Sequence, residues 1–168
     1  CLQSDVGVDV DVEETGTTFE ENSLLKARAV MEASGLPAIA DDSGLCVDAL
    51  GGAPGVYSAR YGGPGLDDVG RYRLLLENMK GQPRGAKFVS VITCCFPNGD
   101  VLTARGECPG TIAFAPMGEG GFGYDPVFFI PSLKKTFAQL TPEEKNAISH
   151  RGKALEQFQK ELERYLKK

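Results

Sequence analysis

The sequence predicts an α/β protein in which helices flank a mixed central β-sheet. Two capping boxes mark helix starts, β-rich runs lie between the helical segments, and residues 97–100 have the sequence Pro-Asn-Gly-Asp, a strong hairpin signal. Because a hairpin makes at least one strand pair antiparallel, a purely parallel sheet is not expected. The 168 residues suit a single domain, and no internal repeat or interdomain linker divides them.

The first strand and helix are predicted from periodicity and capping. Residues 5–12 carry valine at every second position, which is the period of a strand. Thr18 and Glu21 have the spacing of a capping box. We therefore expect a helix over residues 19–34 that stops at Gly35, since glycine is the usual residue just after a helix.

A second strand is predicted over residues 36–40, and it ends in the run Asp41-Asp42-Ser43-Gly44. Two adjacent carboxylates at the end of a buried strand repel each other and are costly to desolvate unless a cation compensates them. Mg²⁺ takes oxygen ligands, usually one or two carboxylates with substrate phosphate and water. A magnesium site at this run is one interpretation. A turn or helix cap is the other, because Asp and Ser are favoured there.

Glu14 closes the first predicted strand and is a candidate partner for Asp42. If the two strands pair in parallel, the helix between them is a right-handed crossover and the two carboxylates meet at one sheet edge. That arrangement would give a metal site from two strand ends. The alternative is a solvated acidic turn.

The remaining elements follow from glycine, proline and apolar patterning. In order, these are a loop over 51–65, a helix over 67–80, paired strands over 86–96 and 101–107, a loop over 118–123, a strand over 127–130 and a C-terminal helical region opened by the capping box at 141–144. The helical pattern breaks around residues 149–152. The apolar stripe of the last helix is predicted to be Leu155, Phe158, Leu162 and Leu166.

Composition removes several classes of protein. The net charge of −5 argues against an extended basic surface that binds a nucleic acid polymer. A phosphate-bearing ligand must therefore be held by a few local cations or a metal. No apolar run approaches the ~20 residues of a membrane helix. Five cysteines without a C-x-x-C spacing argue against a disulfide framework or structural zinc and favour buried thiols. The single histidine, His150, cannot build a multi-histidine metal site.

Four basic side chains and one loop could serve an anionic, aromatic ligand. Lys26 lies in the first helix, whereas Lys145, His150 and Arg151 lie near the break in the C-terminal helices. The alternative, which is the more common one for a single basic residue, is a solvated charge. The loop over residues 118–123 matches G-x-G-x-x-G but precedes a strand, which is wrong for a dinucleotide site. Phe122 and Tyr124 could instead stack on a base, or the loop could be a plain turn.

Together and in order, these motifs closely resemble the Ham1 family, the inosine triphosphate pyrophosphatases, over nearly the whole chain. The motifs are Glu14-Thr15-Gly16, Phe19-Glu20-Glu21-Asn22 with Lys26-Ala27, Ala40-Asp41-Asp42-Ser43-Gly44-Leu45, Gly51-Gly52-Ala53-Pro54-Gly55, Tyr57-Ser58-Ala59-Arg60-Tyr61, Gly120-Gly121-Phe122-Gly123-Tyr124-Asp125-Pro126 and Glu144-Lys145-Asn146-Ala147-Ile148-Ser149-His150-Arg151-Gly152. The glycine-rich forms are nearer the bacterial branch of the family.

The resemblance implies a cytoplasmic homodimer with two lobes and a nucleotide cleft between them. Such enzymes use Mg²⁺ to hydrolyse ITP, dITP and XTP to the monophosphate and pyrophosphate. Asp42 matches the catalytic carboxylate and a metal ligand, Glu14 the second metal ligand, and Lys26 a lysine that contacts the triphosphate. The positions matching nucleotide-binding residues are Ser43, Phe122, Gly123, Tyr124, Asp125, Lys145, His150 and Arg151.

One family feature has no counterpart in these 168 residues. Family members usually begin with a strand and a phosphate-binding loop that contains Asn, Gly and Lys. We expect the sequence to be part of a longer chain that carries this element. If the protein has lost it, a non-catalytic nucleotide-binding or dimerisation protein of the same fold becomes the alternative. A metal-dependent phosphatase of other small substrates is a third possibility.

Overall fold

One five-stranded sheet organises the computed structural model, which describes residues 1–168. The strands are β1 (Ala38–Val47), β2 (Gly85–Cys95), β3 (Val101–Ile112), β4 (Phe128–Ile130) and β5 (Lys135–Thr136), in the spatial order β1-β2-β3-β4-β5. The helices are α1 (Phe19–Ser34), α2 (Asp68–Asn78), α3 (Pro142–Ile148) and α4 (His150–Leu166). The predicted α/β architecture with helices flanking one sheet is confirmed. Every strand pair is antiparallel, whereas a mixed sheet was expected.

The two long helices cover different faces of the sheet. Helix α1 packs on β1 and β2, and helix α4 packs on β2 and β3. Val91 joins the core cluster under Phe19 of α1, whereas the next residue, Ile92, joins the cluster under Phe158 of α4. Successive strand residues point to opposite faces, so Val91 faces α1 and Ile92 faces α4.

The first predicted strand is not a strand. Gln3–Val6 forms a short 3₁₀ helix, and residues 8–18 make no sheet ladder. The period-two burial is nevertheless present, because residues 8, 10, 12 and 14 are half-buried and the residues between them are exposed. The parallel pairing expected between this segment and β1 therefore does not occur, and β1 pairs with β2 in antiparallel register.

Strand β1 is longer than predicted. It continues through the acidic run to Val47, where an end at Ala40 was expected. Within it, Asp42 lies opposite Val91 and Ser43 lies opposite Ser90 in β2. Asp42 and Ser43 consequently project from opposite faces of the sheet.

The helix termini agree closely with their capping signals. Helix α1 has the predicted bounds, with Thr18 Oγ1 accepting from the Glu21 amide at 3.1 Å and Gly35 in the left-handed conformation. The full capping box is present at α3. The predicted break falls between α3 and α4, where Ser149 accepts from the Gly152 amide at 3.0 Å and starts the second helix.

The apolar stripe predicted for α4 is partly wrong. Phe158 is buried and Leu162 packs beside it, but Leu155 and Leu166 are exposed. Ala154 is fully buried in their place. The backbone at the start of α4 lies against β3 at this point, because Gly106 lacks the Cβ that would collide with the His150 carbonyl oxygen and the Ala154 amide.

No helix of the structure is long and apolar enough to cross a membrane. All five cysteines are free thiols, and Cys94, Cys95 and Cys108 are buried.

The close approach at Gly106 gives a stability prediction. Gly106→Ala should lower the free energy of unfolding by about 2 kcal/mol, because the added methyl group meets backbone atoms that cannot move independently. Urea-induced unfolding followed by circular dichroism measures this change. Gly70→Ala in α2 is the matched control: its methyl group meets only side chains and gains helix propensity, so its effect should stay within about 1 kcal/mol. Equal effects of the two substitutions would contradict the packing argument.

Candidate active site

A cavity of about 620 Å³ lies beside β1, between the glycine-rich loop and the start of α4. Of the residues predicted to bind substrate, all except Lys26 line it. These are Ser43, Phe122, Gly123, Tyr124, Asp125, Lys145, His150 and Arg151. The structure thus brings residues from distant parts of the sequence into one concave wall.

Asp125 organises the glycine-rich loop. Its buried Oδ2 accepts from the Phe122 amide at 3.0 Å and from Lys145 Nζ at 2.6 Å. Gly121 approaches the same oxygen so closely, at φ +72°, that any Cβ would collide with the carboxylate. The loop therefore requires glycine at this position, and the carboxylate fixes both the loop and the lysine.

Phe122 presents an aromatic face flanked by two cations. Its side chain is 59% exposed. Lys145 Nζ lies 4.8 Å and Arg151 Cζ lies 5.2 Å from the ring centroid. A flat, electron-rich ligand could stack here while its polar edge meets the two cations.

Tyr124 does not offer the stacking face that the sequence suggested. It is buried, and its hydroxyl donates to the Ser58 carbonyl oxygen at 2.6 Å. Burial raises the pKa of this hydroxyl, which therefore stays protonated as a donor. Ser58 Oγ in turn accepts from the Leu45 amide at 2.9 Å. This chain of contacts joins the glycine-rich loop to β1, close to Asp42.

Asp42, Glu14 and Lys26 meet on the other face of β1. Lys26 Nζ lies 2.7 Å from Glu14 Oε1 and 3.5 Å from Asp42 Oδ1. The two carboxylates therefore come together as predicted, although Glu14 belongs to an irregular segment and not to a strand end. Burial raises the pKa of Asp42; the Lys26 ammonium opposes this shift, and the Glu14 carboxylate adds to it.

This acidic pair fits the requirements of Mg²⁺. The buried Oδ2 of Asp42 has no hydrogen-bond partner, and neither does the nearby buried amide nitrogen of Asn22. No group of three or more His, Cys, Asp or Glu side chains is close enough to form a complete metal cage. Mg²⁺ commonly binds through one or two carboxylates and completes its shell with water and substrate phosphate, so Glu14 and Asp42 are a suitable pair.

Among the residues of the cavity wall that sequence reasoning did not single out are Asp68 and Arg71, both on α2. Asp68 Oδ2 accepts from the Gly123 amide at 2.9 Å and so ties α2 to the glycine-rich loop. The signal was present in the pair Asp67-Asp68: Asp67 caps the helix by accepting from the Gly70 amide at 2.8 Å, which leaves the second carboxylate available. Arg71 donates to the Leu66 carbonyl oxygen, and no local pattern marked it.

The single histidine is buried and neutral. The His150 ring stacks on Phe88, with centroids 4.7 Å apart and an interplanar angle of 14°. Burial lowers the pKa of His150 to about 3, and the neighbouring Arg151 and Lys145 charges act in the same direction. At neutral pH the imidazole can therefore donate through one ring nitrogen and accept through the other, but it carries no charge.

Fold and site together define a class: an α/β protein with a cleft beside β1 whose lining suits a flat, anionic small molecule. A family model described as the Ham1 family matches residues 2–161. The dITP/XTP pyrophosphatase of Exiguobacterium sp. is 51% identical over 158 residues, which are 94% of this chain and 81% of that protein. The Escherichia coli K12 dITP/XTP pyrophosphatase is 55% identical over 158 residues, 91% of this chain and 80% of that protein.

Solved structures agree with the sequence comparison. A HAM1 protein from Coxiella burnetii superposes with a TM-score of 0.91 at 47% identity, covering 96% of this chain and 84% of that one. The Staphylococcus aureus Ham1 protein gives the same TM-score and identity, covering 95% and 84%. The chain belongs to the Ham1 family, which confirms the resemblance drawn from its motifs.

The burial of His150 gives a spectroscopic prediction. Because the chain has one histidine, its imidazole proton resonance needs no assignment by mutation. In the native protein this resonance should not titrate between about pH 5 and pH 8, whereas in urea it should titrate near 6.5. Below pH 6.5 the unfolded chain therefore binds a proton that the native protein does not bind. The free energy of unfolding falls as the pH drops below 6.5, by about 2 kcal/mol at pH 5. A native midpoint near 6 would contradict the buried, neutral assignment.

Proposed function

We propose that this protein hydrolyses non-canonical purine nucleoside triphosphates, namely dITP, ITP and XTP, to the nucleoside monophosphate and pyrophosphate, with Mg²⁺ as cofactor. The observation that carries the proposal is the position of the cavity: it lies beside the strand that holds Asp42, with Ser43 in its wall. The curated relatives named above, at 51% and 55% identity, are dITP/XTP pyrophosphatases, which supports the same reaction.

The cavity suits the base. Phe122 offers a stacking face, and Lys145 and Arg151 offer donors beside it. A 6-keto purine brings an acceptor to these donors, whereas a 6-amino purine brings a donor and leaves a buried group unpaired. Asp125 keeps the Lys145 ammonium in place through their 2.6 Å contact, so the base meets a donor that is already oriented.

The face of β1 that carries Asp42 suits the phosphates. The Lys26 ammonium can contact triphosphate oxygens, since its stem is long and its side chain is 28% exposed. Asp42 can orient the water that attacks the α-phosphorus and accept its proton, because burial raises the pKa of this carboxyl above its ordinary value. Mg²⁺, held by Glu14 and Asp42, would supply charge stabilisation for the phosphates and for the leaving pyrophosphate.

Assembly and location complete the proposal. We expect a homodimer in the cytoplasm, as the family resemblance implies. Analytical ultracentrifugation of the purified protein checks the dimer, and fractionation of the source cells checks the location.

The proposed reaction is tested by a substrate panel with an Asp42 variant. The wild-type protein should release pyrophosphate from ITP, dITP and XTP in the presence of Mg²⁺, much faster than from ATP or GTP, and should not act on simple phosphate esters. Asp42→Asn should lower kcat by at least about 100-fold, because it removes the proton acceptor and a metal ligand. The melting temperature without metal should be unchanged or higher, since a buried charge is lost.

Asp41→Asn is the matched control. This carboxylate is the neighbour of Asp42 in β1, but its side chain is 53% exposed and projects from the opposite face. Its substitution should cost less than about tenfold in kcat, and any loss that arises from its 3.9 Å contact with Arg151 should fall on KM. Retained turnover in Asp42→Asn would contradict the catalytic role of Asp42. Equal losses in the two variants would show that the effect is not specific to Asp42.

Base recognition gives a separate prediction. Arg151→Ala should lower kcat/KM for ITP by about tenfold or more and change kcat/KM for ATP much less, because the lost donor serves only a 6-keto base. Steady-state kinetics with both nucleotides measures the ratio. Arg164→Ala, on the exposed end of α4, is the control and should leave both values unchanged. Parallel losses for ITP and ATP would assign Arg151 to the phosphates and not to the base.

A further inference from the structure

Lys26 occupies an unusual position for a residue that is expected to bind substrate. Its ammonium contacts Glu14 Oε1 at 2.7 Å and Asp42 Oδ1 at 3.5 Å, so it engages both of the carboxylates proposed to hold the metal. It also compensates the charge of Asp42, whose side chain is only 8% exposed. In the structure as it stands, one intramolecular cation serves the acidic pair.

An ammonium and a divalent cation compete for this pair. Both are attracted by the same two carboxylates, and at contact distances in a partly buried site they repel each other strongly. A divalent cation can therefore use both carboxylates fully only when the ammonium moves away. The ammonium then needs another anion, because leaving it unpaired against the protein is costly.

We infer that Lys26 is a built-in competitor for the divalent cation, and that its transfer from the acidic pair to the triphosphate couples metal binding to nucleotide binding. This inference rests on the proposed function. Without a triphosphate, the metal meets an acidic pair that Lys26 already neutralises in part. When a triphosphate draws the ammonium away, both carboxylates become free for the metal.

The chemistry of the residue suits this task. Lysine carries a compact charge on a flexible stem and imposes no fixed fork geometry on its partners, so the ammonium can exchange one anion for another with little movement of the helix. Because Lys26 lies in the interior of α1, far from either helix end, its Cα is held in place while the side chain moves. Coupling of this kind is reciprocal: bound metal must favour the triphosphate by the same factor.

The test measures Mn²⁺ binding directly, by the electron paramagnetic resonance signal of the free ion, in the purified protein without nucleotide. The variants are Lys26→Met and Lys26→Gln, and the matched control is Lys80→Met, an exposed lysine paired only with Glu77. We expect both Lys26 variants to bind Mn²⁺ on the order of tenfold more tightly than the wild type, and the control to match the wild type. Adding Asp42→Asn to Lys26→Met should abolish the gain, which places the ion at the acidic pair.

The second arm measures the coupling. A non-hydrolysable ITP analogue with an α,β-methylene bridge should tighten Mn²⁺ binding to the wild type, and should tighten it at least about threefold less in Lys26→Met. If the Lys26 variants bind Mn²⁺ no better than the wild type without nucleotide, Lys26 holds the ligands in place and the inference is wrong. If the analogue tightens Mn²⁺ binding equally in both proteins, the coupling does not run through Lys26.

Failure of this inference and failure of the proposed function are distinguishable. Turnover of ITP by the wild type, lost in Asp42→Asn, supports the proposed function whatever the Mn²⁺ affinities of the Lys26 variants. Absence of turnover with every nucleotide in the panel would overturn the proposed function. The competitor role of Lys26 is overturned separately, if Lys26→Met shows no gain in Mn²⁺ affinity.

Discussion

The structure depends on a buried carboxylate that has to be compensated. Asp42 lies within a ten-residue strand and is almost completely buried, beside a second carboxylate from Glu14. Burying such a pair without a cation would cost several kcal/mol. Lys26 supplies the charge from two turns inside α1, so the start of that helix at Thr18 determines whether the ammonium reaches the strand. Helix capping, strand continuity and the acidic pair are thus parts of one arrangement.

Strand β1 connects two groups of residues that lie on different faces of the sheet. Asp42 projects toward α1, and Ser43 projects toward the cavity beside α4, where its hydroxyl donates to Ser90 at 3.2 Å. Asp42 and Ser43 are consecutive residues of β1, so the two groups are attached to the same short length of strand. A single ligand that contacts both groups would have to pass from one face of the sheet to the other at this strand.

Local signals predicted the elements whose cause is local. The bounds of α1, the break at Ser149 and the antiparallel pairing of β2 with β3 follow from capping residues and a turn sequence, and each agrees with the structure. The motifs also identified eight of the 21 residues that line the cavity, although only the family resemblance assigned them to a common ligand.

The predictions that failed depended on partners that are distant in sequence. Valine alternation showed which side chains are half-buried over residues 8–12, although Val6 is exposed, and period-two burial does not require a hydrogen-bonded neighbour. The acidic run looked like a strand end because the compensating lysine is sixteen positions earlier and its contact is tertiary. The predicted stripe on α4 is partly wrong because α4 lies so close to β3 at Gly106 that Ala154, and not a leucine, occupies the buried position. In each case a tertiary contact overrode a local preference.

The charges of the site explain how an acidic protein can accommodate a triphosphate. Lys145 is paired with Asp125, and Lys26 is shared by Asp42 and Glu14, so the basic side chains are held in position by carboxylates and do not form an unopposed positive surface. Arg151, which lies 3.9 Å from Asp41, is similarly balanced. Such pairing orients the donors before the ligand arrives, but it leaves little net positive charge to attract several phosphate charges. Under the proposed function, a triphosphate would therefore bind together with a divalent cation, and an acidic pair whose own cation can be transferred to the phosphates is suited to receive one.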